Sequence, residues 1–93
     1  MSYYVYILVS RKDKSLYTGQ TDNLQKRFKR HNQGTVKSTK ARIPYDLGYF
    51  ETYPTRAEAM WREWELKKKW NTERKQKLVE NFDRSRVVEI LGL

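Results

Sequence analysis

Tyr6 and Tyr17 stand in two short stretches, YVY at Tyr4 to Tyr6 and YTG at Tyr17 to Gly19. Arg27 and His31 follow, four residues apart. Phenol and imidazole groups pass protons, and a guanidinium grips two phosphate oxygens at once in a way that Lys cannot copy. The set poses a choice between a phosphodiester-cleaving site and a basic helix lying under a small sheet. A tyrosine with an ordinary pKa of about 10 is a weak base at neutral pH, so it needs a neighbouring positive charge or a relay. Each residue also has a plainer reading. The tyrosines suit cross-strand aromatic packing, Gly19 suits a turn from strand to helix, and a lone histidine near a core edge is commonly a packed one.

Glu63 adds an acid. In RAEAMWREWELKKKW, Arg56 to Trp70, a helix turns about 100° per residue. Glu58, Arg62, Glu65 and Lys69 then share a polar stripe, while Ala57, Met60, Trp61 and Trp64 cluster elsewhere. Glu63 falls near Ala59, Leu66 and Trp70, with Met60 and Lys67 close by. A carboxylate among apolar neighbours is costly without a partner. Either Lys67, one turn on, supplies it in the favourable Glu-to-Lys order, or the carboxylate faces a cleft and takes a metal ion. With no cysteine and one histidine, a disulfide scaffold, a thiolate zinc site, a thiol nucleophile and a multi-histidine metal site are all excluded. A metal here needs oxygen ligands, which points to a hard cation such as Mg²⁺.

The elements that must position these groups follow from pattern. YYVYILVS, Tyr3 to Ser10, predicts a strand covered on both faces. RKDKS is a polar turn and LYTG, Leu16 to Gly19, a returning strand. Thr21 or Asp22 caps a helix to about Gln33, with Leu24, Phe28 and His31 as its apolar stripe and Gly34 as its stop. Thr35 to Pro44 is polar and basic and reads as a mobile loop. YDLGYFETY, Tyr45 to Tyr53, is the third strand, and Pro54 ends it. Thr55 and Glu58 fit a capping box at the start of the Arg56 to Lys69 helix. Asn71 or Thr72 caps a further helix to about Phe82, and residues 83–93 form either a packed helical turn or a fraying tail. The order β-β-α-β-α-α predicts an α+β fold: a small three-stranded sheet flanked by helices, in one domain over 1–82. The three tryptophans are expected in its core.

Charge names the class of partner. The 93 residues carry 20 Lys and Arg against 11 Asp and Glu, a net charge of +9. Between Asp22 and Asp46 there is no acid, while Lys26, Arg27, Lys29, Arg30, Lys37, Lys40 and Arg42 all fall there. Such a run makes a positive surface suited to phosphates, so nucleic acid is the expected partner, and Lys26, Lys29, Arg30, Lys37, Lys40 and Arg42 its expected contacts. No apolar run approaches the roughly 18 residues of a membrane helix, and no basic-then-apolar leader pattern opens the sequence. No membrane partner and a cytoplasmic location are therefore expected.

Taken in order, YVY, YTG, the helix DNLQKRFKRHNQG, the basic loop and strand, and AEAMWREWELKK resemble the GIY-YIG nuclease domain over roughly Ser2 to Lys77. The likeness is to small single-domain members, and also to the N-terminal nuclease module of the bacterial excision-repair protein. It implies that Tyr6 orients the attacking water or the scissile phosphate, and that Tyr17 is the general base or its assistant. It implies that Arg27 clamps the phosphate, that His31 shares in proton transfer or positions Tyr17, and that Glu63 binds a single Mg²⁺ or Mn²⁺. Two departures stand out: Tyr4 replaces the glycine of the first tripeptide, and Gln20 stands where some members have a lysine that helps the base.

The expected function is a metal-dependent endonuclease hydrolysing phosphodiester bonds in DNA, with little sequence specificity and a place in DNA repair. The alternative is a weakly active or inactive module of the same fold that binds DNA or RNA. A third reading is a docking protein anchored by Trp61, Trp64 or Trp70.

Overall fold

The computed structural model describes residues 1–93. Its centre is β1, Tyr3–Ser10, flanked by β2, Leu16–Thr21, and β3, Tyr45–Tyr53, in the antiparallel order β2-β1-β3. Side chains alternate across the sheet. Tyr6 therefore shares a face with its register partners Gly19 and Phe50, and Val5 shares the other with Gln20 and Glu51. The β1–β3 register slips by a bulge between Ile7 and Leu8.

Helices cover both faces, as the apolar character of both sides of β1 demands. One face, with Tyr6, Leu8, Tyr45, Leu47 and Phe50, packs on α1, Leu24–Asn32, and α4, Arg84–Leu91. The other, with Val5, packs on Ala59 and Leu66 of α2, Arg56–Lys68, and on Leu78 of α3, Thr72–Glu80. The order is thus β-β-α-β-α-α-α, an α+β fold.

Local chemistry sets the boundaries, and three expectations shift. The cap of α1 is Asn23, whose side chain accepts from Lys26 N–H, and not Thr21 or Asp22. Thr21 instead accepts from the Asn23 N–H in a turn ahead of the helix. Gly34, at φ 76°, supplies the left-handed stop that a side chain would resist. The segment after α1 is structured in place of the expected mobile loop. It holds a short 3₁₀ turn at Lys40–Arg42, and Ser10 Oγ donates to the Arg42 carbonyl at 2.6 Å. Asn32 clamps both backbone groups of Tyr45, tying the end of α1 to the start of β3. The chain end is a full helix, capped by Asp83, whose Val87, Ile90 and Leu91 pack on the main core.

The tryptophans are the main correction. Trp70 is partly buried beside Val5 and Leu66, but Trp61 and Trp64 are 65% and 42% exposed. Helical periodicity tells which residues share a face, and here the buried face belongs to Ala59 and Leu66.

Candidate active site

Tyr6 is buried, and its ring crosses β2 directly over Gly19. A Cβ on residue 19 would stand 2.5 Å from the phenolic oxygen, so only glycine leaves that path open. The Tyr6 hydroxyl meets Nε2 of His31 at 2.9 Å, and Nδ1 of His31 meets the Thr39 hydroxyl at 2.8 Å. The Thr39 hydroxyl can in turn donate to the Val36 carbonyl at 3.3 Å. That direction makes Thr39 the acceptor from Nδ1–H, leaves Nε2 unprotonated, and makes Tyr6 the donor to it. His31 is fully buried. Burial, with the positive charges of Arg27 and Arg30, pulls its pKa down to about 4, so the ring is neutral at pH 7. It therefore acts on Tyr6. The sequence reading that paired it with Tyr17 is corrected to this extent: the Tyr17 ring lies 5.1 Å from the imidazole, but the hydrogen bond goes to Tyr6.

The remaining groups gather round the same two phenols. Tyr17 on β2 lies 6.4 Å from Tyr6 between ring centroids. The ammonium of Lys67 on α2 sits 5.8 Å from the Tyr17 ring centroid and 3.3 Å from Oε2 of Glu63. Burial pushes the Tyr6 hydroxyl up to about 12; the Arg27 guanidinium offsets part of that rise, while the charge of Glu63 adds to it. Both charges thus act on one oxygen. Tyr6 remains protonated across the neutral range, so it is no base there. Nε of Arg27 is buried without a hydrogen-bond partner. A guanidinium with an unused buried N–H is ready for an anion.

Glu63 pairs with Lys67, the first of its two sequence readings, and its charge also reaches the Tyr6 hydroxyl. Nowhere do three or more His, Cys, Asp or Glu side chains gather as a metal cage. One carboxylate suits Mg²⁺, which keeps several waters and is commonly held by one or two carboxylates plus a substrate phosphate, and Lys67 would yield that carboxylate to the ion. The residues present fit such an ion.

The basic residues divide. Lys26, Arg27 and Arg30 line a polar cleft of about 300 Å³ together with Gln20, Asp22 and Arg56. Lys29, Lys37 and Lys40 are exposed outside that lining. Arg42 is exposed but pairs with Asp13 at 3.3 Å, so its charge is partly answered within the chain. Arg56 and Lys67 are the residues that sequence reasoning missed. Lys67 was legible only as a helix neighbour of Glu63. The position of Arg56 depends on how the start of α2 meets the start of α1, which its Asp22 contact at 3.5 Å records.

Residues 2–77 match the GIY-YIG catalytic domain. The chain belongs to the GIY-YIG family. Its relatives include the UPF0213 protein of Clostridium perfringens, 53% identical over 66 residues that span 70% of this chain and 70% of that one. The UPF0213 protein of Haloquadratum walsbyi is 44% identical over 79 residues, spanning 84% and 86%. The solution NMR structure of the UPF0213 protein BH0048 from Bacillus halodurans superposes with a TM-score of 0.54 at 38% identity, covering 86% of this chain and 84% of that one. GIY-YIG membership implies nuclease-type chemistry, a hydrolase acting on nucleic acid, in a family that generally uses divalent metal ions. No helix is long and apolar enough to cross a membrane.

Proposed function

We propose that this GIY-YIG protein is a divalent-metal-dependent endonuclease that hydrolyses phosphodiester bonds in DNA with little sequence specificity. What supports the reading is that Tyr17, Arg27 and Glu63, from a neighbouring strand and two helices, all act on the Tyr6 hydroxyl, with the Tyr6 and Tyr17 rings 6.4 Å apart. Arg27, whose buried Nε–H has no partner within the chain, grips the scissile phosphate. Tyr6, its proton committed to His31, offers oxygen lone pairs that orient Arg27 and the attacking water. His31 is a positioning residue for Tyr6, sealed from solvent. Tyr17 takes up the proton of the attacking water or relays it to solvent. Glu63 would hold a single Mg²⁺ or Mn²⁺, which when bound supplies Lewis-acid neutralisation of the charge that builds on the phosphate. Lys67, beside Glu63 and the Tyr17 ring, adds a second cation to this group.

Low specificity follows from the contacts available. Base edges are read by a helix or ribbon set in a groove, and the cleft is lined instead by side chains suited to phosphates. Binding should be phosphate-driven and steeply salt-dependent, which suits branched or damaged DNA in repair.

The test is incubation of the purified protein with supercoiled and branched DNA, with Mg²⁺ or Mn²⁺ and then with EDTA. Cutting with metal and none in EDTA is expected. A protein that binds with a steep salt slope yet cuts no substrate is the inactive binding module instead.

A further inference from the structure

Large apolar surface is exposed chiefly on one helix. Met60, Trp61 and Trp64 of α2 are 51%, 65% and 42% exposed, and none of them joins a core cluster. The two indoles stack on each other, with centroids 5.1 Å apart and planes at 21°. Trp70, at the end of the same helix, shows what this fold does with an indole it needs: it packs beside Val5 and Leu66, with Arg74 3.8 Å over its face.

The neighbours of the exposed pair differ on its two sides: on the Glu63 side they are cationic, while beyond Trp61 an open pocket is lined by Ala57, Glu58, Arg62 and Glu65. Round α2 from Glu63, at about 100° per residue, come Arg56, Lys67, Met60, Trp64, Ala57, Lys68 and Trp61, and the next acid is Glu65. Arg56 and Lys67 thus lie between the proposed metal carboxylate and the two indoles, and Lys68 lies between the indoles. Lys69 adds its ammonium 5.8 Å from the Trp64 ring centroid. Arg56 also lines the polar cleft with Lys26, Arg27 and Arg30, so the two surfaces join.

We infer that the outer face of α2 is the path of an unpaired strand of the DNA substrate, its bases stacked on Trp64 and Trp61 and its phosphates held by Arg56, Lys67 and Lys68. This rests on the nuclease reading and deepens it: the substrate class is DNA with a single-stranded stretch beside the cut. An exposed indole has a partner in nucleic acid only where a base face is free, and in a duplex the base faces are hidden by stacking. The cations supply the electrostatic track that accompanies such platforms. A second copy of the chain fits poorly, because a two-fold contact would set this basic face against itself in a protein of net charge +9.

The experiment is titration with oligo(dT), read by tryptophan fluorescence and by anisotropy of labelled strand, in EDTA so that cutting plays no part. Oligo(dT) should quench the wild-type emission. Trp64→Ala and Trp61→Ala should each weaken binding about tenfold, and Trp64→Phe should recover most of the loss. Both positions are exposed, and thermal melts by circular dichroism check that the variants fold. A blunt duplex of the same length should bind with little quenching and no response to the indole substitutions. Oligo(dT) binding that ignores both tryptophans would overturn the proposal. So would oligo(U) binding at least tenfold tighter than oligo(dT), or a dimer in sedimentation velocity that Trp64→Ala dissolves. Absence of cutting in the wild type would sink the nuclease and leave the binding result standing; absence of quenching would sink only this strand path.

Discussion

Tyrosine, arginine and glutamate are gathered twice in this molecule, round Glu51 on the face that α2 covers and round Tyr6 on the other face with Glu63 of α2 joining it, and the two gatherings differ in how much of their hydrogen bonding is used. On the α2 face, Glu51 accepts from the hydroxyls of Tyr49 and Tyr53 and from Nε and Nη2 of Arg62, while Nη1 of Arg62 turns to Glu65. Burial alone would raise the Glu51 carboxyl, but Arg62 and the two phenols outweigh it and hold it below its ordinary value. The guanidinium also lies 5.1 Å from the Trp70 ring centroid. Each charged group and phenol there already has a partner within the chain. At the Tyr6 cleft, by contrast, Arg27 keeps a buried N–H without a partner, and Glu63 is held by one lysine that is itself 44% exposed. The same residue types therefore make a strut on one face and a site on the other, and the difference lies in unused donors and acceptors.

Substitutions that exchange the two behaviours test this contrast. Arg27→Ala should lower cutting by about 10²–10³-fold, the range seen when a donor to a reacting centre is removed, and leave the urea midpoint almost unmoved. Arg62→Ala should do the reverse. Its partner is 17% exposed at the side chain, so an unpaired carboxylate is left largely out of water. Stability should fall by about 3 kcal/mol, a large part of the total for a small domain, with cutting per folded molecule retained. Equal damage from both variants in both assays would erase the distinction.

The neutral His31 makes a pH prediction. Its pKa lies at about 4 in the fold against 6.5 for the free side chain, so the unfolded chain binds the extra proton first. Stability is then complete above about pH 6.5 and falls as pH drops toward 4, by on the order of 3 kcal/mol. The slope between pH 6.5 and 5, above the range of most carboxylates, is the part to read by urea denaturation. His31→Gln should flatten it, whatever the variant's absolute stability. The smallest expected effect comes from Gly19→Ala. The added methyl forces the Tyr6 ring aside and should cost about 1–3 kcal/mol of stability, with cutting reduced more than folding because the Tyr6–His31 bond is pulled out of line.

Much of this was legible in the sequence because the signals are local. The strands over Tyr3 to Ser10 and Tyr45 to Tyr53, the Thr55 and Asn71 caps and the Gly34 stop are written in neighbouring residues. The candidate site residues were legible only through the order of their motifs, since nothing local says that Tyr6 meets His31, 25 positions away. Thr39, which fixes the imidazole, was hidden in a polar stretch with no apolar pattern. Trp61 and Trp64 were misread for a different reason. Bulk and hydrophobicity favour burial, but α2 has one sheet to pack on and more than one apolar side, and the geometry gave that contact to Ala59 and Leu66.

The most direct test of the central claim, that these side chains form one hydrolytic centre rather than a basic surface, is to measure cutting and binding of the same DNA across a salt series for wild type, Tyr17→Phe and Glu63→Gln. Neither substitution removes a positive charge. The account predicts that cutting in Mg²⁺ disappears in both variants while affinity in EDTA and its salt slope stay at wild-type values. Cutting that persists in both variants, or is lost only in step with affinity, would contradict it.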